Sequence, residues 1–188
     1  MTADKKTNYT AFAGDERIKS GDLAAIALAV RDAVNAGEAR LIQIFDDATG
    51  RVTDIDTRGS AEDTLARLGI QPEADKPVRG RGRPKLGVVP GEVTLLPRHW
   101  DWLKSQPGGA SVTLRKLIEA ARHDPRAAKR EAQSAAYRVM SAMAGDRQGF
   151  EEASRAFFAG DKATFDTLTK DWPADIRAYI AKLAKPAF

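Results

Sequence analysis

Cysteine is missing from the sequence, and so is any long apolar run. Without cysteine the chain forms no disulfide bond, offers no thiolate nucleophile and cannot build a sulfur-ligated zinc site. The longest uninterrupted apolar run has eight residues, from Leu23 to Val30, whereas a membrane helix needs about 20. Residues 1–8 are polar and do not resemble a secretory signal. We therefore predict a cytoplasmic protein without membrane contact.

Catalytic side chains are also scarce. The chain has two histidines, His99 and His123, and neither has a plausible nucleophile near it in the sequence. The glycines at 80 and 82 follow no predicted strand and do not complete a phosphate-binding G-x-G-x-x-G pattern. We predict that the protein is not an enzyme and has no cofactor.

Four aspartates surround one predicted hairpin, at Asp46, Asp47, Asp54 and Asp56. Carboxylates in such a group could hold a hard divalent ion. However, turns and exposed strand faces ordinarily carry aspartate, and this spacing matches no calcium loop. We predict no metal site, and a small hydrolase or metal-dependent enzyme that uses these aspartates is the weaker alternative.

The net charge of +4 is unevenly distributed. Residues 1–70 carry 9 basic and 12 acidic side chains, whereas residues 71–90 carry 5 basic and 2 acidic ones. Residues 125–188 carry 11 basic and 8 acidic side chains. This asymmetry favours an anionic partner for the second half of the chain.

The most basic stretch is Arg79-Gly80-Arg81-Gly82-Arg83-Pro84-Lys85. Glycine and proline disfavour a helix or a central strand, so we expect a slim, extended backbone that can enter the narrow minor groove of DNA. The stretch resembles the AT-hook, a minor-groove motif with an Arg-Gly-Arg-Pro core. This resemblance implies that Arg81 and Arg83 enter an A·T-rich minor groove while Arg79 and Lys85 contact phosphates. A solvated basic linker is the alternative interpretation.

The pattern around this stretch predicts an α+β protein with three parts. Residues 1–70 form a small domain with the order ββαββα, in which an antiparallel sheet has two helices on one face. Its second hairpin pairs a strand over 40–45 with a strand over 51–57. Residues 71–90 are a basic linker rich in proline and glycine, and residues 91–188 form a strand followed by a helical domain.

Residues 91–123 have the order strand, helix, glycine turn, helix. The strand is expected over Glu92–Leu96, and Pro97 begins the first helix. This order resembles the ribbon-helix-helix fold of bacterial repressors, which implies a homodimer through residues 91–123. Val93 and Leu95 would face DNA in that fold, yet aliphatic side chains can contact only a thymine methyl group. We therefore expect both to pack against the N-terminal sheet or the C-terminal helices instead.

Helical periodicity then continues to the C-terminus. Helices are predicted over 126–144, 148–158, 162–170 and 174–183, each with one apolar face that is buried. The predicted core aromatics are Phe150, Phe157, Phe158, Phe165, Trp172 and Tyr179. A stacking surface for single-stranded nucleic acid is the alternative for these rings. We predict burial instead, because aromatic residues on one helical face are more often buried than exposed.

Over its whole length the chain resembles a family of bacterial proteins catalogued only as a domain of unknown function. The resemblance rests on Tyr9, on Gly-Arg-Gly-Arg-Pro-Lys-Leu-Gly at 80–87, on Leu-Pro-Arg-His-Trp-Asp-Trp-Leu at 96–103 and on the helices that follow. It implies a bacterial origin and no particular activity.

These patterns together predict a protein that binds double-stranded DNA and is regulatory or nucleoid-associated. Beyond the AT-hook-like segment, phosphate contacts are predicted for Arg98, Arg115, Lys116, Arg126, Lys129 and Arg130. The alternative is a protein-interaction or adaptor module whose arginine-rich strip is a flexible tether.

Overall fold

The structure, a computed structural model, describes residues 8–70 and 91–188. The AT-hook-like segment with Arg79, Arg81, Arg83 and Lys85 lies outside the described residues. The described chain has a mixed α+β fold with a three-stranded antiparallel sheet and eight α-helices. The strands are β1 (Tyr9–Ala13), β2 (Glu16–Gly21) and β3 (Ile42–Asp46). The helices are α1 (Leu23–Asn35), α2 (Ala61–Arg67), α3 (Pro97–Ser105), α4 (Gly109–Arg122), α5 (Pro125–Ala144), α6 (Phe150–Ala159), α7 (Lys162–Leu168) and α8 (Ala174–Ala184).

Local sequence signals set the ends of several elements. Gly14, with a φ of 55°, makes the turn between β1 and β2. The Asp22 carboxylate accepts a hydrogen bond from the Ala25 N–H at 2.9 Å and begins α1. Ser60 and Asp63 form a reciprocal capping box that begins α2.

The sheet has the strand order β2-β1-β3, so β1 is its central strand. Successive side chains of a strand point to opposite faces. On one face, Ala11 and Ile44 form a core cluster with Ile26 and Val30 of α1. On the other face, Phe12 and Phe45 belong to the main core, together with α5, α6, α7 and α8. Helices therefore cover both faces of the sheet, not the single face that we predicted.

The predicted fourth strand over 51–57 is reduced to one isolated bridge between Phe45 and Val52. Val52 is 52% exposed, so this bridge buries little apolar surface that would stabilise longer strand pairing. The N-terminal unit is therefore β1-β2-α1-β3-α2, and the expected ββαββα order is corrected at this point.

The described residues fall into two compact units, and these differ from the predicted domains. Residues 8–70 and 125–188 form one unit, and residues 91–124 form the other. We had assigned residues 91–188 to a single domain. The difference arises because the apolar face of α5 and α8 packs on Phe12 and Phe45 of the sheet, a long-range contact that local periodicity does not encode.

The smaller unit contains the two predicted helices but not the predicted strand. Residues 91–96 have no regular secondary structure, and α3 and α4 are joined by a turn at Gln106–Gly108. Val93 is 51% exposed, which corrects the expectation that it is packed in the core. Leu95 lies with Trp102 and Leu117 along a groove of its own unit. The unit therefore has the two predicted helices, but not the strand that a ribbon-helix-helix fold requires.

Asp47 joins the sheet to α8 through a nearly buried polar network. Its Oδ1 accepts hydrogen bonds from the hydroxyls of Thr10 and Tyr179, both at 2.8 Å. Its Oδ2 accepts from the Lys182 ammonium at 2.7 Å, and only 10% of the Asp47 side chain is exposed. Burial and the neighbouring Asp47 charge raise the pKa of Tyr179 far above its ordinary value.

The raised pKa of Tyr179 predicts a loss of stability at alkaline pH. Above about pH 10 the unfolded chain releases the tyrosine proton while the folded chain keeps it, so the free energy of unfolding falls as pH rises. Tyr179→Phe should cost about 1 kcal/mol at neutral pH and should weaken this alkaline dependence. Urea denaturation across pH 8–11, a range chosen around the ordinary tyrosine pKa of about 10, measures both effects. Tyr137→Phe, at an exposed tyrosine, is the control, and equal alkaline slopes in all three proteins would contradict the prediction.

Candidate nucleic-acid interface

An open cleft of about 570 Å³ lies between the turn after β3 and helix α5. Three arginines line it, Arg51 from the turn and Arg130 and Arg138 from α5. Its lining is completed by Ala48, Thr49, Ala127, Glu131 and Ser134. Positions 130, 134 and 138 are four residues apart and therefore share one face of the helix.

The turn is shaped by Asp46 and approaches α5 at Gly50. The Asp46 carboxylate accepts hydrogen bonds from the backbone N–H groups of Ala48 at 2.7 Å and Thr49 at 3.2 Å. Gly50 has a φ of 65°, and a Cβ atom at this position would lie 2.1 Å from the Ala135 carbonyl oxygen. A side chain would collide there, so glycine is what lets the turn form one wall of the cleft.

The cleft carries more positive than negative charge. Arg51 and Arg130 are exposed, and neither has an ion pair within residues 8–70 and 91–188. Arg138 donates from Nη1 to the Thr49 carbonyl oxygen at 2.7 Å, a neutral partner that leaves its charge uncompensated. Glu131 also lines the cleft, but in the described part of the chain it forms no ion pair with these arginines. A surface of this composition favours phosphate groups.

The phosphate contacts predicted from the sequence lie on both units. Arg126, Lys129 and Arg130 are exposed in the first two turns of α5. The structure thus brings Arg130 together with Arg51 and Arg138.

The remaining predicted phosphate contacts are on the smaller unit. Arg98 is exposed on α3, and Arg115 and Lys116 are exposed on α4. The Arg115 Nε donates to the Ser111 carbonyl oxygen at 3.0 Å, one turn earlier in the same helix. These three side chains therefore belong to a different unit from the cleft arginines.

The aspartates of the predicted hairpin do not converge. Asp47 is held by the network with Tyr179 and Lys182, and Asp46 shapes the turn. Asp56 pairs with Arg58 at 2.8 Å and Arg67 at 3.6 Å, and its hydrogen bonds with Arg58 hold the pKa of Asp56 well below its usual range. No group of three or more potential metal ligands is found in residues 8–70 and 91–188.

A family model described as "Uncharacterized protein conserved in bacteria (DUF2239)" matches residues 8–184. The chain belongs to this bacterial family. No curated protein and no solved structure matches it. Within the described ranges, no helix has the length and apolarity that crossing a bilayer requires. Family membership covers both units and agrees with the resemblance seen over the whole sequence.

Two features of this surface were not anticipated. The sequence does not indicate Arg51 as a site residue. No local sequence pattern shows that this residue, which follows a β-turn, lies beside a helix about 80 positions later in the chain. Phe158 was assigned to the core, but it is 51% exposed. Its neighbour Phe157 takes the fully buried position, since two adjacent helical residues cannot both face the same core. The adjacent pair of phenylalanines was the signal that one of them lies outside.

The close approach of Gly50 to α5 predicts a large effect of Gly50→Ala. Gly37 is a matched control, because it has a φ of 88° and no atoms within 4 Å of an added Cβ. Both substitutions strain the backbone, but Gly50→Ala also forces the turn away from Ala135. We expect Gly50→Ala to lower the free energy of unfolding by at least about 2 kcal/mol more than Gly37→Ala in urea denaturation. Equal losses would show that the turn does not depend on this contact.

Proposed function

We propose that the protein binds double-stranded DNA and acts as a regulatory or nucleoid-associated protein in the bacterial cytoplasm. The observation that carries the proposal is the cleft formed by Arg51, Arg130 and Arg138, whose charges are not neutralised by carboxylates of the described chain. Arginine presents a planar set of donors that matches phosphate oxygens. Exposed guanidinium groups on one helical face can therefore contact phosphates along a DNA backbone.

The AT-hook-like segment supplies the sequence preference in this proposal. Arg81 and Arg83 enter an A·T-rich minor groove, which is narrow and strongly negative. Arg79 and Lys85 contact the flanking phosphates, and the exposed cations of the folded units add contacts that do not depend on sequence. The two sets of arginines are thus assigned different roles that an experiment can separate.

The test compares A·T-rich and G·C-rich duplexes by fluorescence anisotropy at several salt concentrations. Arg51→Gln combined with Arg130→Gln removes two proposed phosphate contacts, so the slope of log K against log salt should fall by about 2 for both duplexes. Arg81→Ala combined with Arg83→Ala should weaken binding to the A·T-rich duplex more than to the G·C-rich one.

The matched control is Lys19→Gln combined with Lys170→Gln, which removes two exposed cations away from the cleft. This control should leave the salt slope nearly unchanged. If it reduces affinity as much as the cleft variant, the cleft has no specific role. If the wild-type protein binds neither duplex at low salt, the DNA proposal fails and the adaptor interpretation takes its place.

We further propose that two copies of the chain pair through residues 91–123. Within residues 91–124 the structure buries one residue, Leu103, and leaves Trp102, Leu117 and Ile118 about half exposed. An apolar groove of about 260 Å³ runs between α3 and α4. A unit of this size rarely buries enough apolar surface alone, and association with a second copy supplies the missing burial.

The pairing proposal predicts that Leu117→Glu converts a dimer into a monomer. A buried carboxylate without a partner is strongly unfavourable, so the charge should act at the interface itself. Sedimentation equilibrium measures the mass directly. Leu41→Glu is the control, because Leu41 is a 73% exposed leucine of the other unit, and it should leave the mass unchanged. A wild-type protein that is monomeric at micromolar concentration would contradict the pairing.

A further inference from the structure

Two aromatic rings on the larger unit remain exposed beside the arginine face of α5. Tyr137 of α5 is 36% exposed and Phe158 of α6 is 51% exposed. Their ring centroids are 5.2 Å apart, and Phe150 supports Tyr137 from a centroid distance of 6.3 Å. We call Tyr137 and Phe158 the aromatic shelf. Its two rings are held in place by neighbouring rings while part of their surface faces solvent.

Cationic side chains border the aromatic shelf. Arg130 precedes Tyr137 by seven residues, which places the two side chains within about 20° around α5 and about 10 Å apart along it. Lys129 reaches the end of α6, where its Nζ lies 4.0 Å from the position of a Cβ on Gly160. Gly160 follows Phe158 by two residues, so this ammonium group also lies near the shelf. Both cations therefore lie toward the N-terminal end of α5, beside the two rings.

Two carboxylates on or next to α6 and α7 are already engaged. Glu152 pairs with Arg155 at 2.8 Å. Asp161 accepts hydrogen bonds from the backbone N–H and the hydroxyl of Thr164, at 3.0 and 2.7 Å. These contacts reduce the repulsion that an incoming phosphate would meet.

We propose that the aromatic shelf binds single-stranded DNA. Unpaired bases stack on Tyr137 and Phe158, while Lys129 and Arg130 contact neighbouring phosphates of the same strand. Exposed rings next to cations suit an unpaired strand, because the bases of a duplex are stacked on each other and present no free face to an aromatic ring. The choice of DNA rests on the proposed duplex function, so the shelf would hold a strand that becomes unpaired next to a bound duplex.

The test measures binding of a labelled oligothymidylate to the full chain by fluorescence anisotropy, with an A·T-rich duplex measured in parallel. Tyr137→Leu and Phe158→Leu keep apolar contacts but remove the aromatic face. Each should weaken oligothymidylate binding about ten-fold, the order expected for the loss of one base–aromatic stack. Duplex binding should change less than two-fold, since the cleft arginines remain.

Two further variants make the test specific. Phe158→Tyr keeps an aromatic face and should bind oligothymidylate as the wild type does. Phe188→Leu is the matched control, because Phe188 is 38% exposed on the same unit and its ring contacts Phe157 and Phe165 instead. This control should leave binding unchanged. A loss with Phe158→Tyr as large as that with Phe158→Leu would overturn stacking as the mode of binding.

The outcomes separate this inference from the proposed function. A wild-type protein that binds the duplex but not oligothymidylate overturns the aromatic shelf alone. One that binds oligothymidylate through the shelf but no duplex overturns the duplex proposal and supports the shelf. Tighter binding of oligouridylate than of oligothymidylate, with the same dependence on Tyr137 and Phe158, would overturn DNA as the partner.

Discussion

The contact between the N-terminal sheet and helices α5 and α8 is the constraint on which the rest of the structure depends. Phe12 and Phe45 place their rings 5.4 and 6.2 Å from the ring of Tyr179, and the hydroxyl of that tyrosine reaches Asp47 at the end of β3. Apolar burial supplies most of the free energy of such a junction, whereas the hydrogen bonds of Asp47 fix its geometry. Forming this contact closes a loop of the chain that contains residues 71–124. The entropy cost of closing a loop rises only slowly with the length of the loop.

Because the sheet is fixed against α5, a single helix serves three purposes. Ala135, Val139 and Met140 are buried in the core, Arg130 and Arg138 line the cleft, and Tyr137 is one of the two rings of the aromatic shelf. A helix turns by about 100° per residue, so these roles occupy different faces of the same cylinder. The cleft exists only because Gly50 allows the preceding turn to meet this helix. Packing of α5 in the core therefore also fixes the positions of the cleft arginines.

In the sequence the smaller unit lies between the two segments of the larger one. The two units differ in how much apolar surface they bury. The larger unit has a core on each face of its sheet, whereas residues 91–124 leave most of the apolar side chains of α3 and α4 partly exposed. An exposed apolar groove on a unit of this size indicates an interaction surface more readily than a stable isolated domain. The proposed pairing of two copies rests on this difference in burial.

The sequence by itself indicated the α+β class and the eight α-helices of the described residues, because each helix depends on residues within a few positions of one another. It also indicated that α5 carries cations. Only the tertiary structure decided which elements share a core, which of Phe157 and Phe158 is buried, and that Arg51 lies beside Arg130 and Arg138. The predicted fourth strand and the predicted ribbon over residues 92–96 did not form, although their local patterns favoured strands. Strand pairing and side-chain proximity depend on partners that are distant in the chain, and local periodicity contains no information about them.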